Sequence, residues 1–400
     1  MISVDEARGR ILAGLRQVGD EIAPLAEGLG RVLAAPVVAR LTQPPADVSA
    51  MDGYAIRAAD GAAGAQLRLI GAAPAGRPFA GRVGPGETVR IFTGSFVPEG
   101  ADTILIQEDA EVAGEVVSVR DNPGPGRHIR RAGLDFAAGD VLLPAGRRLG
   151  PREIGLAAAG NQPSLRVHRR PRVAILATGD EIALPGTEIR HGGIANSNSP
   201  MLAAFVAAQG GVPLVLPPVP DDGAAIAAAL AGARGADMLV TTGGASVGAH
   251  DLVLEGLSAE GFVLDFWKIA MRPGKPLIFG RVEGMPVLGL PGNPVSAYVC
   301  AALFLEPALR VLAGGAPAGP VLEPARLGAA LRANDQREDY LRATLTREAG
   351  GWVATPLPVQ DSSMLRALAA AQALIRRPPH QGALDAGAMV DIIRLDAANA

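Results

Sequence analysis

Between residues 173 and 312, short apolar β-branched runs alternate with helical stretches, and each run breaks into a glycine- or proline-rich loop where a buried strand would end. Strands are expected at 173–177, 212–216, 238–241, 262–266 and 286–290, and helices near 199–209, 222–233, 250–259 and 294–312. Alternation at this spacing predicts a doubly wound, mostly parallel sheet with helices on both faces, and such sheets bind ligands beyond the carboxyl ends of their strands. Three loops fall there: ThrGlyAspGlu (178–181), ThrThrGlyGlyAlaSerValGly (241–248) and ProGlyAsnPro (291–294).

The flanking sequence has other rhythms. Ser3 with Glu6 forms a capping box ahead of Val4, Ala7, Ile11, Leu12 and Leu15 at helical spacing, so the chain opens on an amphipathic helix. A second short helix is expected at about 29–34, followed by a proline-rich extended connector. From about 50 to 145, β-like runs punctuated by Gly and Pro predict a small β-rich domain. Residues 151–160 return to helix, which should pack back onto the opening helix, and the polar 166–172 reads as a linker. After 314–320 the remainder reads as a small all-β end domain.

A chain of 400 residues is too long for one ordinary core, and 48% hydrophobic content with 51 glycines describes an α/β protein with many tight loops. A net charge of −3 gives no general electrostatic case for nucleic acid or an anionic membrane, so any anion site must be local. The single cysteine, Cys300, reads as core filler in an apolar helix, and a chain with no possible internal disulfide suits a reducing cytosol. The first residues include early acids and no apolar core, unlike a signal peptide, and no run approaches the roughly 20 apolar residues of a membrane span.

No Walker-type loop is present, and no Gly-x-Gly-x-x-Gly follows a strand. One cysteine and histidines at 128, 168, 191, 250 and 380 offer no zinc spacing; His250 reads as a ligand contact or a helix-start surface position, the others as solvated. GlyAlaSerValGly (244–248) matches the nucleophile elbow of hydrolases by letters, but only His250, crowding Ser246, and the distant His380 could complete a triad. An acidic and basic constellation is the better candidate. Asp180 and Glu181 end one strand, Asp221 or Asp222 begins a helix, Asp251 follows the glycine loop, and Lys268, Arg272 and Lys275 follow the next strand. If the sheet forms as expected, all reach one edge. Carboxylates there suit a hard Mg2+ ion, while the cations and the loops carrying Gly243, Gly244, Ser246, Pro291 and Asn293 suit phosphate.

SerAlaMetAspGlyTyrAla (49–55), PheThrGlySerPheValProGluGlyAlaAsp (92–102), ThrGlyAspGlu (178–181), the 241–251 loop, PheTrpLysIleAlaMetArgProGlyLysPro (266–276) and LeuProGlyAsnProValSer (290–296) occur in one order. Together they make the chain resemble the molybdopterin molybdenumtransferase family, which includes the E domain of gephyrin. The resemblance implies a multidomain α/β protein: an elongated N-terminal domain (1–48 and 142–170), a β-rich insert (49–141), a doubly wound molybdopterin-binding domain (171–314) and a C-terminal β domain (320–400). It implies insertion of molybdenum from molybdate into adenylylated molybdopterin, with Mg2+-dependent release of AMP, by a cytoplasmic homodimer whose insert faces the sheet domain of the other subunit. It also implies transient contact with other cofactor-biosynthesis proteins. Carried over by position, the acids are Asp52, Asp135, Glu181, Asp221 and Asp251, and the anion-binding residues are Thr93, Arg130, Lys268, Arg272, Lys275, Arg337 and Ser362. Glu181, Asp221 and Asp251 would hold the metal. Arg272 stands where a lysine is frequent, and Asp221 and Asp222 compete for one position. The rivals are a molybdopterin adenylyltransferase built on a similar sheet domain and a non-enzymatic scaffold of the gephyrin type.

Overall fold

The computed structural model describes residues 1–243 and 252–395. The chain divides into two compact units, one comprising 1–21, 30–34 and the chain from 166 onward, the other 22–29 and 35–165.

The first unit is built on a six-stranded sheet. Arg172–Ala177 lies between Val212–Val215 and Met238–Thr242, and the latter is followed across the sheet by Met285–Leu290, Ile278–Val282 and Val263–Trp267. The first four of these strands in spatial order run parallel, with Ile175 opposite Val240 and Val240 opposite Leu288. The central strands are buried along nearly their whole length, as parallel strands covered on both faces must be. Helices Asn198–Ala208, Gly223–Leu230, Leu252–Ala259 and Pro294–Cys300 alternate with them in sequence, as expected.

The strand Ile278–Val282 is absent from the sequence expectations, and it changes the topology. It pairs antiparallel with both Met285–Leu290 and Val263–Trp267, giving the parallel sheet an antiparallel edge. Glu283 and Gly284, at φ 48° and 86°, join two of these strands as a two-residue hairpin whose left-handed backbone matches strand twist. The apolar segment from 294 to 312 also differs from a single regular helix. A π-helical turn, Ala301–Leu305, separates Pro294–Cys300 from Glu306–Leu312. Pro307 has no N–H to donate into the preceding turn, which accounts for the irregularity just before it. Among the described residues this stretch is long and apolar enough to cross a membrane, correcting the expectation of none, but it is 83% buried within the protein.

The opening helix, Val4–Ala13, is capped by the Ser3 hydroxyl, which accepts from the Glu6 N–H at 3.1 Å. Its buried Val4, Ala7 and Ile11 join the core of the sheet unit, where it packs on the 301–312 segment. Within the second unit the helix Pro151–Ala159 packs on Val141–Leu143 and on the 3-10 turn Leu25–Glu27. No helix forms at 29–34: Gly30 has φ 76° and Leu33 bridges antiparallel to Val167. Residues 166–172 are likewise no slack linker. Asp237 accepts from the Arg169 guanidinium (2.7 Å) and from the Arg172 N–H (2.7 Å), fixing that segment to the base of the sheet.

The C-terminal part is β-structured as expected. Glu338–Glu348, Gly351–Pro356, Glu323–Leu327, Met389–Arg394 and Ala373–Arg377 pair in a ring that closes on itself around an apolar interior. One short helix, Leu365–Ala370, interrupts it. Met271–Arg272 joins this barrel as an additional parallel strand, with Arg272 opposite Asp339.

The second unit holds a six-stranded sheet in the order Thr103–Ile106, Gly53–Ile56, Glu87–Ile91, Gln66–Ala73, Val116–Val119, Ala110–Ala113, with apolar clusters packed against it. A Cβ on Gly53 would lie 2.1 Å from the Leu105 carbonyl oxygen, so only glycine can follow Asp52 there.

Candidate functional site

The carboxyl ends of Arg172–Ala177, Met238–Thr242 and Met285–Leu290 meet as packed backbone. The Thr178 N–H donates to the Thr242 carbonyl at 3.0 Å. A Cβ on Gly243 would stand 2.1 Å from the Thr178 carbonyl oxygen, and one on Gly292 would stand 3.5 Å from the Gly243 Cα. Asn198, at the start of its helix, locks the three loops by donating from Nδ2 to Thr242 Oγ1 (2.8 Å) and to the Gly292 carbonyl (2.7 Å). The Thr242 hydroxyl bonds to the Pro291 carbonyl at 3.2 Å.

Of the acids expected at this rim, Asp180, Glu181 and Asp221 lie near one another. The Asp221 N–H donates to the Asp180 carboxylate at 3.2 Å. Partial burial, and next the charges of Glu181 and Asp180, push the Asp221 carboxyl above its ordinary range, while the neighbouring Thr178 hydroxyl pulls slightly the other way. Neither Thr178 Oγ1 nor Asp221 Oδ1 completes a well-formed hydrogen bond among the described residues, although both are buried. Asp222 serves the fold instead, since its carboxylate caps Gly223–Leu230 by accepting from the Ala225 N–H at 3.0 Å. A cleft of about 770 Å³ opens beside these acids, lined by Asp180, Glu181, Arg190, His191, Val219 and Pro220 among others. His191, expected to be merely solvated, therefore belongs to the cleft wall. His168 is not free either, its Nδ1 lying 3.3 Å from the Val18 carbonyl.

The cations divide. Lys268 adopts φ 71°, an uncommon conformation for a side-chain-bearing residue, with its Nζ 3.6 Å from the centre of the Trp267 ring. Lys275 is half-buried and its side chain has no partner among the described residues. Arg272 is already neutralised: Asp339 and Asp335 accept from its guanidinium, the latter at 3.4 Å. Arg337 binds the same Asp335 at 2.9 Å and holds that carboxyl down to about 2. Arg272 and Arg337 thus meet around one carboxylate of the barrel. Ser362 does arrive at the rim, where its hydroxyl accepts from Asn293 Nδ2 at 2.9 Å and its carbonyl from the Val295 N–H at 3.1 Å. Gly244, Ser246, His250 and Asp251 lie outside the described residues, as does the elbow motif. Among the described residues no three His, Cys, Asp or Glu side chains are grouped closely enough to hold a metal ion.

In the second unit, Asp52 accepts from the Thr93 N–H at 2.7 Å and the Thr93 hydroxyl at 2.8 Å, and these bonds, with Arg90 nearby, hold its carboxyl below the ordinary range. Arg90 stacks over Tyr54 and Phe92, at 4.9 and 5.2 Å from their ring centres. Arg130 lies on the strand Ile129–Arg130 that pairs with Val48–Ser49, the approach to Asp52. Asp135 sits on the next turn, tied by its N–H to the Gln43 carbonyl at 3.0 Å, and no side-chain bond among the described residues joins it to Asp52.

Sequence reasoning missed Asn198, Arg90 and the acids that neutralise Arg272, and it placed Thr178 at the rim only as part of its loop. Asn198 carried one usable signal, its place in SerAsnSerPro just ahead of an apolar helix.

Residues 2–160 match the family model for the MoeA N-terminal region (domain I and II), residues 174–311 that for a "probable molybdopterin binding domain", and residues 324–395 that for the MoeA C-terminal region (domain IV). Molybdopterin molybdenumtransferase 2 of Mycobacterium tuberculosis is 37% identical over 403 residues, covering 98% of this chain and 99% of that protein. Molybdopterin molybdenumtransferase of Nostoc sp. is 36% identical over 339 residues, covering 82% and 78%. The crystal structure of a molybdopterin biosynthesis MoeA protein from Pyrococcus horikoshii superposes with a TM-score of 0.85 at 29% identity, covering 98% of this chain and 99% of that one. With three consecutive family models and relatives matched over nearly its whole length, the chain belongs to the molybdopterin molybdenumtransferase (MoeA) family.

Proposed function

We propose that this chain inserts molybdenum from molybdate into adenylylated molybdopterin, with Mg2+-dependent hydrolysis that releases AMP, and that it works as a cytoplasmic homodimer with the site shared between subunits. The reading keeps the four-part division expected from the sequence. It is carried by the meeting of Asp180, Glu181 and Asp221 at the carboxyl rim of a parallel sheet, in a chain matched nearly end to end by molybdopterin molybdenumtransferases.

The residues at that rim fit a hard divalent ion. The rim's acids offer carboxylate oxygens, and Asp221 carries a buried, unpartnered oxygen on a carboxyl whose charge is disfavoured by burial and then by its acidic neighbours. Glu181 and Asp221, with Asp251 as the third acid, would hold Mg2+, which supplies neutralisation of phosphate charge when bound. Lys275 and Lys268 would meet phosphoryl oxygens by charge-assisted bonds. The Ser362 hydroxyl accepts from Asn293, so its own proton remains free for an oxyanion. Asp52 is kept ionised by Thr93 and would orient the water that adds to phosphorus as the diphosphate P–O bond breaks and AMP leaves. Such chemistry needs positioning and charge rather than an activated serine or cysteine, in line with a Cys300 thiol that burial pushes far up.

The test is incubation of the purified chain with adenylylated molybdopterin, molybdate and Mg2+, following AMP and active cofactor together. Formation of both is expected. Synthesis of the adenylate from ATP and molybdopterin, without insertion, would replace this reading by the adenylyltransferase.

A further inference from the structure

Another cavity, of about 680 Å³, opens at the opposite end of the sheet from the acids. Asp237, Met285 and Pro286 on its wall stand at the amino ends of Met238–Thr242 and Met285–Leu290. Strands of that length, at about 3.3 Å per residue, hold it roughly 15–20 Å from the carboxyl rim. Its size is that of a small-molecule site. Arg16, Gln17 and Gly19 are exposed on it, so solutes reach it directly. Leu15, Val18, Pro286 and Leu312 are buried along it and give it an apolar floor.

Three guanidinium groups, those of Arg16, Arg169 and Arg281, line this cavity against the single carboxylate of Asp237. Asp237 is spent on Arg169, accepting from both of its terminal nitrogens, once at 2.7 Å. Glu21, the other acid whose charge Arg169 feels, is paired with Arg31. Arg281 donates to the Gly284 carbonyl at 3.1 Å, and its Nη2 stands 2.7 Å from where a Cβ on Gly14 would lie, at the carboxyl end of the opening helix. A helix end offsets only about half a charge. Arg16 has no side-chain partner among the described residues. On that count roughly one and a half positive charges stand uncompensated over an apolar floor. A phosphate monoester, at about −1.5 to −2 near pH 7, matches that surplus better than a single carboxylate does, and the guanidinium fork fits its oxygens.

We propose that this cavity is a binding site for a small organic phosphate, with the phosphate held by Arg16 and Arg281 and the apolar body seated on Leu15, Pro286 and Leu312. The site stands apart from the reaction proposed above, at the far end of the same strands, and its occupancy does not depend on that reaction.

The test is calorimetry with phenyl phosphate, benzoate and inorganic phosphate on the full chain, on Arg16→Ala and on Lys275→Ala, whose lysine belongs to the other end of the sheet. Phenyl phosphate is expected to bind most tightly of the three. Its affinity should fall about tenfold or more in Arg16→Ala, the range of one charge-assisted hydrogen bond, and stay unchanged in Lys275→Ala. Arg16 is exposed and unpartnered among the described residues, so its replacement should leave the thermal unfolding midpoint where it was. An affinity that survives in Arg16→Ala, or that falls only in Lys275→Ala, places the anion elsewhere and overturns the proposal. Benzoate or inorganic phosphate binding as tightly as phenyl phosphate overturns it too, as does a wild-type chain that binds none of the three.

Discussion

Two adjacent aspartates show how position separates chemistry from support. Asp222 caps a helix through the Ala225 N–H, whereas Asp221 keeps a buried, unpartnered oxygen beside two other acids. Loss of the cap by Asp222→Ala is expected to destabilise the chain by about 1 kcal/mol with turnover preserved, as urea denaturation and an AMP-release assay can measure. Asp221→Asn should do the reverse. Its carboxyl is raised in the folded state, so the folded protein binds that proton more tightly than the unfolded chain, and stability falls as pH rises through the unfolded value of 3.8 and onward through the folded one. At neutral pH the charge is therefore a burden that the amide removes. Thermal unfolding at pH 7 should show Asp221→Asn as stable as the parent or more so, while AMP release falls by about a hundredfold or more. A variant that lost stability and activity in parallel would instead mark Asp221 as a structural residue. The sequence left this pair undecided because capping is a matter of which carboxylate meets the Ala225 N–H, and neighbouring letters are alike in composition.

At the scale of elements, the parallel strands were legible because each apolar run ends in glycine or proline, whereas Ile278–Val282 was not. Its Glu–Gly turn is a weaker hairpin signal than Asn–Gly or Asp–Gly, and the run follows directly on a cationic segment that reads as a loop. The same blind spot affects Arg272. Its charge was visible, but the acids that neutralise it stand more than sixty positions away, on a barrel whose closure no local pattern announces. Arg272 sits on a two-residue strand added to that barrel, opposite Asp339, which is 5% exposed. Arg272→Ala should leave this carboxylate buried without its cation and destabilise the protein by about 1–3 kcal/mol, a loss that urea titration would detect. Unchanged stability combined with weaker molybdate binding would restore Arg272 to the anion site. Asp335 gives the barrel a pH signature. Held down to about 2 by the Arg337 guanidinium and N–H, it contributes stability that is present above the unfolded value of 3.8 and lost as pH falls toward 2. Acid unfolding of Asp335→Asn should begin at higher pH than that of the parent, followed by tryptophan fluorescence.

For the molecule as a whole, the acids of the proposed reaction belong to two compact units: Asp52 to the insert-bearing unit, Glu181 and Asp221 to the sheet unit. The motifs around each were readable separately because each is a short contiguous run: SerAlaMetAspGlyTyrAla around Asp52, with a glycine required at 53 by the facing strand, and ThrGlyAspGlu at the end of a buried strand. What no local pattern encodes is whether one copy of the chain suffices for catalysis. A site shared across a twofold pair makes a sharp prediction, because an isologous dimer repeats the same contact twice. Asp52→Ala and Glu181→Ala homodimers should each be inactive, yet mixing them under conditions that exchange subunits should recover activity. Random exchange makes about half of the dimers mixed, and each mixed dimer carries one site with both acids intact and one with neither, so recovery should approach about a quarter of the parent rate. Sedimentation would establish that exchange occurred. If mixed dimers form and the rate stays at the level of the separate variants, each site is completed within a single chain, and Asp52 acts on the Glu181 of its own subunit.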